Sequence, residues 1–248
     1  MNLRRLAILR EMGLAPLWRL RAETGAETAD TDVPEQPLPT EPDVSHAPVS
    51  PVAASAAPAS RVAGMDWREL EETIHACRAC ALCEKRTQAV PGVGDRQARW
   101  MFVGEGPGVE EDRRGEPFVG QAGRLLDLML AALDLKRGED VYIANAVKCR
   151  PPHNRTPEAA EIAACAAFLD RQIALVRPRL LIALGRPAAQ ALLGREISIG
   201  AARGKRFERD GVPVIVTYHP AYLLRNPLDK GKAWEDLCFA RRLVAEAA

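Results

Sequence analysis

The sequence predicts an α/β protein, a three-layer α/β/α sandwich around a central, mainly parallel four-stranded sheet. Two observations predict it. Short apolar runs recur along the chain, and most of the intervals between them show helical periodicity. Strands that alternate with helices are typical of a parallel sheet covered on both faces. The predicted strands are Trp100–Gly104, Tyr142–Val147, Leu180–Leu184 and Val214–Tyr218.

The N-terminal quarter of the chain differs in composition from the rest. Residues 1–21 form a basic amphipathic segment with five arginines, expected either to dock on a protein or membrane surface or to remain a weakly ordered extension. Residues 22–63 hold seven prolines and seven acids and few large apolar groups, which predicts a disordered linker. The folded domain is therefore expected at residues 64–248.

Within that domain, each element has a local signal. Asp66 is a good N-cap for a helix that runs to Cys77. Asp210-Gly211 is a typical two-residue turn and predicts a hairpin that starts near Phe207. The other predicted helices are Ala122–Leu135, Pro157–Val176, Pro187–Leu193 and Lys232–Ala247.

Charge is distributed unevenly, although the formal net charge is only +1. The linker is strongly acidic, so the remainder carries about +7, which suits a polyanion partner or, alternatively, serves only solubility. No apolar run is long enough to cross a bilayer, and the N-terminal one is too short for a secretory signal. We therefore expect a cytoplasmic, nucleoid-associated monomer.

The glycine-rich turn Gly104-Glu-Gly-Pro-Gly108 follows the first predicted strand and lies where α/β sheets bind ligands. Its spacing is not that of a dinucleotide or P-loop motif, and Pro107 removes an amide that a phosphate would need. Three acids follow at positions 110–112 and would repel phosphate. An acid-lined turn near an aromatic residue favours a neutral planar ligand, whereas an ordinary β–α turn is the alternative.

Six cysteines are unusual for a cytosolic chain, in which disulfides are rare. Cys77 and Cys80 form a C-x-x-C pair, and Cys149 and Cys165 follow far along the chain, so the four can close on one [4Fe–4S] cluster or one zinc ion. Cys83 is a competitor for Cys80. Cys238 lies in the apolar register of the last helix and is expected to be buried.

The loop His219-Pro-Ala-Tyr-Leu-Leu-Arg225 follows the last predicted strand. His219 is thus expected near the glycine-rich turn, and Leu223 and Leu224 are expected at an exposed tip. Such a tip can wedge into DNA while cations hold the phosphates. Alternatively, the leucines pack into the core.

Four motifs together resemble those of the iron–sulfur uracil-DNA glycosylases, family four of that superfamily. They are Gly104-Glu-Gly-Pro-Gly108, Pro117-Phe-Val-Gly-Gln-Ala-Gly123, Asn145-Ala-Val-Lys-Cys-Arg-Pro-Pro152 and His219-Pro-Ala-Tyr-Leu-Leu-Arg225. The resemblance covers about residues 66–246. It implies a base excision repair enzyme that flips uracil out of DNA and hydrolyses its N-glycosidic bond. It also implies a [4Fe–4S] cluster on Cys77, Cys80, Cys149 and Cys165.

The same resemblance implies roles for single residues. Phe118 stacks on the flipped uracil, Asn145 reads its polar edge and excludes cytosine, and amides around Gly106 complete the pocket. His219 donates toward the carbonyl oxygen that gains charge as uracil leaves.

Water positioning is assigned to Glu105. The alternatives are Glu111 and Asp112, of which Glu111 could instead orient His219.

DNA contacts are expected from Arg150, Arg203, Lys205 and Arg225, with Leu223 and Leu224 as the wedge.

Two other functions remain possible from the sequence. One is a non-catalytic DNA- or polymerase-binding module that uses residues 1–21 as a protein-docking arm, and the other is a zinc-dependent hydrolase of another nucleotide substrate.

Overall fold

The computed structural model describes Glu11 and residues 59–246, so the predicted basic segment 1–21, apart from Glu11, and most of the predicted linker lie outside the described residues. The described fold begins with helix α1 (Ala59–Val62), inside the last residues of the predicted linker. The Val62 side chain is buried in a cluster with Leu70 and Ile74. The predicted end of the linker at residue 63 is therefore too late, because the chain already contributes to the core at Val62.

The sheet has its four predicted parallel strands at its centre and a short antiparallel strand at each edge. Its spatial order is β1-β3-β2-β4-β6-β5. β1 and β5 pair antiparallel with β3 and β6, and the other pairs are parallel. The two-residue edge strand β1 is too short to show a period in the sequence. In chain order the strands are β1 (Val93–Gly94), β2 (Trp100–Gly104), β3 (Val141–Asn145), β4 (Leu180–Leu184), β5 (Arg206–Arg209) and β6 (Val212–Thr217).

Helices cover both faces of this sheet, as the α/β/α prediction requires. The long ones agree with the predicted helices to within a few residues, whereas α1, α3, α7 and α8 are short helices that the sequence did not predict. They are α2 (Trp67–Ala76), α3 (Val109–Arg114), α4 (Gln121–Ala132), α5 (Ala159–Val176), α6 (Arg186–Leu193), α7 (Ile199–Ala202), α8 (Pro220–Arg225) and α9 (Lys230–Glu246).

The two core clusters follow from side-chain alternation along the strands. Trp100 and Phe102 of β2 face the layer of α4 and α9. Met101 and Val103 face the opposite layer of α5 and α6. All five residues of β2 are buried, so this strand is a continuous apolar run, as expected for a central parallel strand.

Local signals set the ends of several elements as predicted. Asp66 caps α2, and its carboxylate accepts from the Glu69 amide while the Glu69 side chain accepts from the Asp66 amide. Asp210 and Gly211 both have positive φ, as the tight turn between β5 and β6 requires. Cys238, predicted to be buried in α9, is only half-buried. Within residues 59–246 no helix has the length and apolar character needed to span a membrane.

Candidate active site

A cavity of about 740 Å³ opens at the carboxyl edge of the sheet, where the four parallel strands end. Residues at or directly after the end of each of these strands line it. The loops that carry Phe118 and His219 were predicted to converge here. They do so, because the two ring centroids lie 5.4 Å apart with the rings inclined at 31°. The cavity therefore has an aromatic wall next to an imidazole.

Gly104 allows two side chains to meet at the end of β2. A Cβ at this position would lie 2.4 Å from Oδ1 of Asn145 and 2.5 Å from Cζ of Phe118, both far inside van der Waals contact. Asn145 is only 2% exposed, and its Oδ1 is a buried atom without a hydrogen-bond partner among the described residues. Buried acceptors are nearly always paired, so this amide oxygen is placed to receive a ligand.

The loop that carries Phe118 is held from two sides. Arg137 donates to the carbonyl oxygens of Pro117 (2.8 Å) and Phe118 (2.7 Å). Phe118 itself has a φ of 56°, a left-handed conformation that is costly for an aromatic residue. The arginine thus fixes a strained backbone, and with it the position of the ring. No local feature of the sequence indicated this role for Arg137.

Glu111 holds the same loop from the other side. Its Oε1 accepts from the amides of Val119 (2.9 Å) and Gly120 (3.0 Å), and its Oε2 accepts from the amide of Gly108 (3.1 Å). The predicted catalytic role for Glu111 does not fit this arrangement, because both carboxylate oxygens are already engaged by amides. Glu111 joins the glycine-rich turn to the Phe118 loop.

Asp112, the other alternative for water positioning, lies elsewhere. It is buried, and it accepts from the amide of Thr87 at 2.9 Å and 3.0 Å. It is not among the residues that line the cavity. Three consecutive acids in a helix project in different directions, and only the fold shows which one reaches the site.

Glu105 follows β2 directly and lines the cavity. Burial raises the pKa of its carboxyl, while hydrogen bonding from Thr156 and the positive charges of Arg186 and Arg225 oppose that rise. A partly desolvated carboxylate with a raised pKa is a stronger base than a surface carboxylate. Of the three acids weighed from the sequence, Glu105 alone combines a place on the cavity wall with a carboxylate not engaged by backbone amides.

His219 is the N-cap of α8 and presents one nitrogen to the cavity. Its Nδ1 accepts from the Ala221 amide at 3.1 Å, so the neutral imidazole carries its proton on Nε2. Burial lowers the pKa of His219 to about 4, with a further lowering by Arg225, while Glu111 acts in the opposite direction. At neutral pH the side chain is therefore an uncharged donor through Nε2–H.

The leucines after His219 do not form the predicted tip. Because Pro220–Arg225 is a helix packed on α4, Leu223 faces inward, is 1% exposed and belongs to the core. The prediction of Leu223 as a wedge residue is therefore wrong. Leu224 is 43% exposed, and Leu228, in the next turn, is 96% exposed. Leu224 and Leu228 are therefore exposed apolar side chains close to the His219 loop, and Val109, which lines the cavity, is exposed as well.

The predicted phosphate contacts divide into two groups. Arg203 is only 16% exposed, forms an ion pair with the buried Asp236 (2.8 Å) and donates to its neighbours on α9, so its prediction as a phosphate ligand is contradicted. Arg150 donates from Nε to Oδ1 of Asn154 (2.7 Å) at the rim. Lys205 and Arg225 are exposed, and Arg225 lines the cavity.

The four predicted metal ligands gather around one apolar cluster beside α2 and α5. Cys149 and Cys165 are buried there, and Cys77 and Cys80 pack against it together with Cys83. At least three of these sulfurs accept protein N–H groups, and the Ala79 amide lies 3.5 Å from Sγ of Cys77. Nη1 of Arg86 lies 2.8 Å from Sγ of Cys149, and the Lys148 amide lies 3.3 Å from Sγ of Cys165.

Burial raises the pKa of Cys149 to about 11 and that of Cys165 to about 12. Cys77 and Cys80 pack against the cluster that contains both thiols, so cysteines from distant parts of the chain lie in one region. Within residues 59–246, however, no three His, Cys, Asp or Glu side chains are already arranged around a single point as metal ligands. The donor set fits a thiophilic metal centre, whose positive charge would compensate the burial of thiolates.

A buried lysine was missed from the sequence. Lys148 is 1% exposed, and its Nζ donates to the Asn145 carbonyl (2.7 Å) and to Oε1 of Gln172 (2.7 Å). Burial lowers its pKa to about 8. Its position between Asn145 and Cys149 was the only available signal, and a lysine in such a motif is equally typical of a surface loop.

Comparison with known proteins agrees with this geometry. A family model described as the uracil DNA glycosylase superfamily matches residues 91–238. A type-4 uracil-DNA glycosylase of Pyrobaculum aerophilum is 45% identical over 181 residues, which cover 70% of this chain and 92% of that protein. The type-4 enzyme of Thermotoga maritima is 48% identical over 63% of this chain and 82% of its own length. That of Archaeoglobus fulgidus is 45% identical over 64% and 83%.

Proposed function

The chain belongs to the uracil DNA glycosylase superfamily, and from this premise we propose that it is a type-4 uracil-DNA glycosylase. It flips uracil out of DNA and hydrolyses the bond between the base and deoxyribose, which leaves an abasic site for base excision repair. The observation that supports this best is the unpaired Oδ1 of Asn145, next to Phe118 and His219 in one cavity. This oxygen can accept a hydrogen bond from an N–H group of a planar base.

Base recognition follows from the donor and acceptor pattern of the Asn145 amide. Its Oδ1 accepts from N3–H of uracil, and its NH₂ group donates to O4. Cytosine presents an acceptor at N3 and a donor at the neighbouring position, so the same amide orientation meets two mismatched groups. Phe118 stacks on the ring. Flipping costs a few kcal/mol of unstacking, least for a uracil in a mismatch.

Bond cleavage uses His219 and Glu105 on opposite sides of the scissile bond. The electron pair of the C1′–N1 bond stays on uracil, and Nε2–H of His219 donates to O2, where part of the negative charge collects. The amides around Gly106 line the same pocket. The Glu105 carboxylate faces the sugar cation and accepts a proton from the water whose oxygen bonds to C1′. The imidazole is neutral at physiological pH and still keeps its Nε2–H as a donor, because Nδ1 accepts from the Ala221 amide.

Cys77, Cys80, Cys149 and Cys165 hold a [4Fe–4S] cluster in this proposal. Four thiols near one another, with N–H groups directed at Cys149 and Cys165, support that assignment. When bound, the cluster supplies a rigid link between α2, α5 and the segment after β3. It carries no electron in the reaction, because hydrolysis involves no change of oxidation state.

DNA reaches the site along three cations, the exposed Arg225 and Lys205 and the partly buried Arg150. Arg225, Lys205 and Arg150 contact phosphates, and Leu224 and Leu228 enter the space that the flipped base leaves. Affinity for DNA then falls steeply with salt, since each phosphate contact releases counterions. The protein acts at the nucleoid, where uracil-containing DNA is located.

The test is a uracil-containing oligonucleotide incubated with purified full-length protein and then treated with alkali. We expect strand cleavage at the uracil without added metal or nucleotide, and none in matched thymine or cytosine oligonucleotides. His219→Ala should lower the rate by orders of magnitude while DNA binding remains. Intact uracil strands with stoichiometric, iron-loaded protein would refute the proposal, and retained binding without cleavage would favour the binding module.

Iron and sulfide analysis of the same batch tests the cofactor. A brown protein with about four irons supports the cluster. Cys149→Ser should remove that colour. A colourless, zinc-loaded protein would instead support the zinc-dependent hydrolase, and an unchanged visible spectrum in the variant would exclude Cys149 as a ligand.

A further inference from the structure

Lys148 lies at an unusual place for a lysine. It is one of the largest fully buried side chains, in a protein whose core is otherwise nearly all apolar. Its ammonium group has two hydrogen-bond acceptors, the Asn145 carbonyl and Gln172 Oε1, and both are neutral. Among the described residues no carboxylate lies within ion-pair distance of it. Burial of an ammonium group costs several kcal/mol, and neutral acceptors offset only part of that cost.

The group that Lys148 holds is the backbone of the base-reading residue. Asn145 is the last residue of β3, and its side-chain Oδ1 has no partner in the described structure. The direction of its amide therefore depends strongly on where its backbone lies. Lys148 Nζ binds the carbonyl of that residue at 2.7 Å.

Gln172 anchors the other end of this arrangement. It is fully buried in α5, and its Nε2 donates to the Pro91 carbonyl (2.7 Å) and to the Tyr142 hydroxyl (3.3 Å). The Lys148 side chain thus joins the end of β3 to a fixed point on α5. Its backbone amide contacts Sγ of Cys165 on the same helix at 3.3 Å. One residue therefore connects the cysteine cluster and the base pocket.

We propose that Lys148 is a positioning residue, which holds the Asn145 carbonyl so that the amide side chain stays aligned with the uracil edge. The proposal rests on the proposed function, because it assigns Lys148 a part in that same base recognition. Lys148 does not touch the substrate and acts through Asn145. Misplacement of a binding group by about 1 Å costs on the order of a hundredfold in rate, so a tether at this point has a large effect.

The test is a double-mutant cycle with Lys148→Met and Asn145→Ala, measured as single-turnover rates on a uracil oligonucleotide with full-length protein in excess. Methionine keeps the length of the side chain but has no donor and no charge. We expect Lys148→Met to lower the rate about ten- to a hundredfold in the wild-type background. In the Asn145→Ala background it should have no further effect, because the residue through which it acts is gone.

Iron content, far-UV circular dichroism and affinity for a uracil-free duplex are measured on each variant and should match those of their parents. Lys136→Met, at an exposed lysine paired with Glu139, is the matched control and should keep the wild-type rate. An equal fold-loss in both backgrounds would show a merely structural role and overturn the proposal. So would an unchanged rate for Lys148→Met in the wild-type background.

If Lys148→Met does not fold, Gln172→Leu carries the test, because it removes the second acceptor of Nζ. It should give a smaller loss that likewise disappears in the Asn145→Ala background, and equal losses in both backgrounds would overturn the proposal. The wild-type protein in the same assay distinguishes a failure of the proposed function from a failure of the positioning role. If it releases no uracil, the proposed function fails. If it does and the Lys148 variant is equally fast, only the positioning role fails.

Discussion

The partly buried imidazole of His219 should make the protein acid-sensitive by an amount that can be measured. Its pKa is about 4 in the folded protein, against an ordinary value of 6.5. Above pH 6.5 the histidine is neutral in the folded and unfolded states, so it contributes no pH dependence. Below pH 6.5 the unfolded chain binds a proton that the folded protein does not, so stability falls until the pH reaches about 4.

The size of this loss of stability follows from the difference between the pKa values of His219 in the folded and unfolded states. Each pKa unit corresponds to about 1.4 kcal/mol, so acidification from pH 7 to pH 5 costs the folded state about 2 kcal/mol through this residue alone. For a domain of this size, that corresponds to roughly 4–8 °C in melting temperature. His219→Gln removes the titrating group and keeps a polar side chain of similar reach.

We expect the melting temperature of the wild-type protein to fall by roughly 4–8 °C more than that of His219→Gln between pH 7 and pH 5. Thermal scans followed by circular dichroism at one scan rate measure this difference, with iron content checked at each pH. His75→Gln, at an exposed histidine outside the cavity, controls for the loss of an imidazole as such. Parallel curves for the wild type and His219→Gln would refute the assignment of a partly buried histidine that stays neutral in the folded protein.

Three further outcomes follow from the packing and the charge of the cavity rim. Gly104→Ala should lower the single-turnover rate on the order of a hundredfold, because its Cβ would displace the side chains that hold the base, whereas Gly200→Ala meets nothing within 4 Å and should leave the rate unchanged. Leu223→Ala should lower the free energy of unfolding in denaturant melts by about 2–5 kcal/mol. Leu228→Ala should keep the wild-type stability and weaken binding to uracil-containing DNA. Equal stabilities of the two variants would contradict the burial of Leu223. Lys205→Gln should reduce the salt dependence of DNA binding by about one phosphate contact, and an unchanged slope would place Lys205 outside the DNA path.

Much of the fold could be predicted because its signals are local. The apolar runs of β2 and β4 are bounded by charged residues or glycine, so their limits were predicted to the residue. The cap at Asp66 and the Asp210-Gly211 turn depend on three or four consecutive residues, which the sequence shows directly. Parallel strands also bring their carboxyl ends to one edge, which predicted that His219 would lie near the glycine-rich turn. The family resemblance implied the place of Phe118 beside it, and the two rings do meet.

The sequence by itself thus determined the layered α/β fold and the edge of the sheet that carries the cavity. Only the tertiary structure decided that Leu223 packs inward, that Arg203 binds Asp236, and that Lys148 reaches the Asn145 carbonyl. The physical reason is the range of each interaction. Strand and helix signals are carried by neighbouring residues, whereas the partner of a long polar side chain depends on how distant segments pack. The sequence does not show which distant segments come into contact when the core forms.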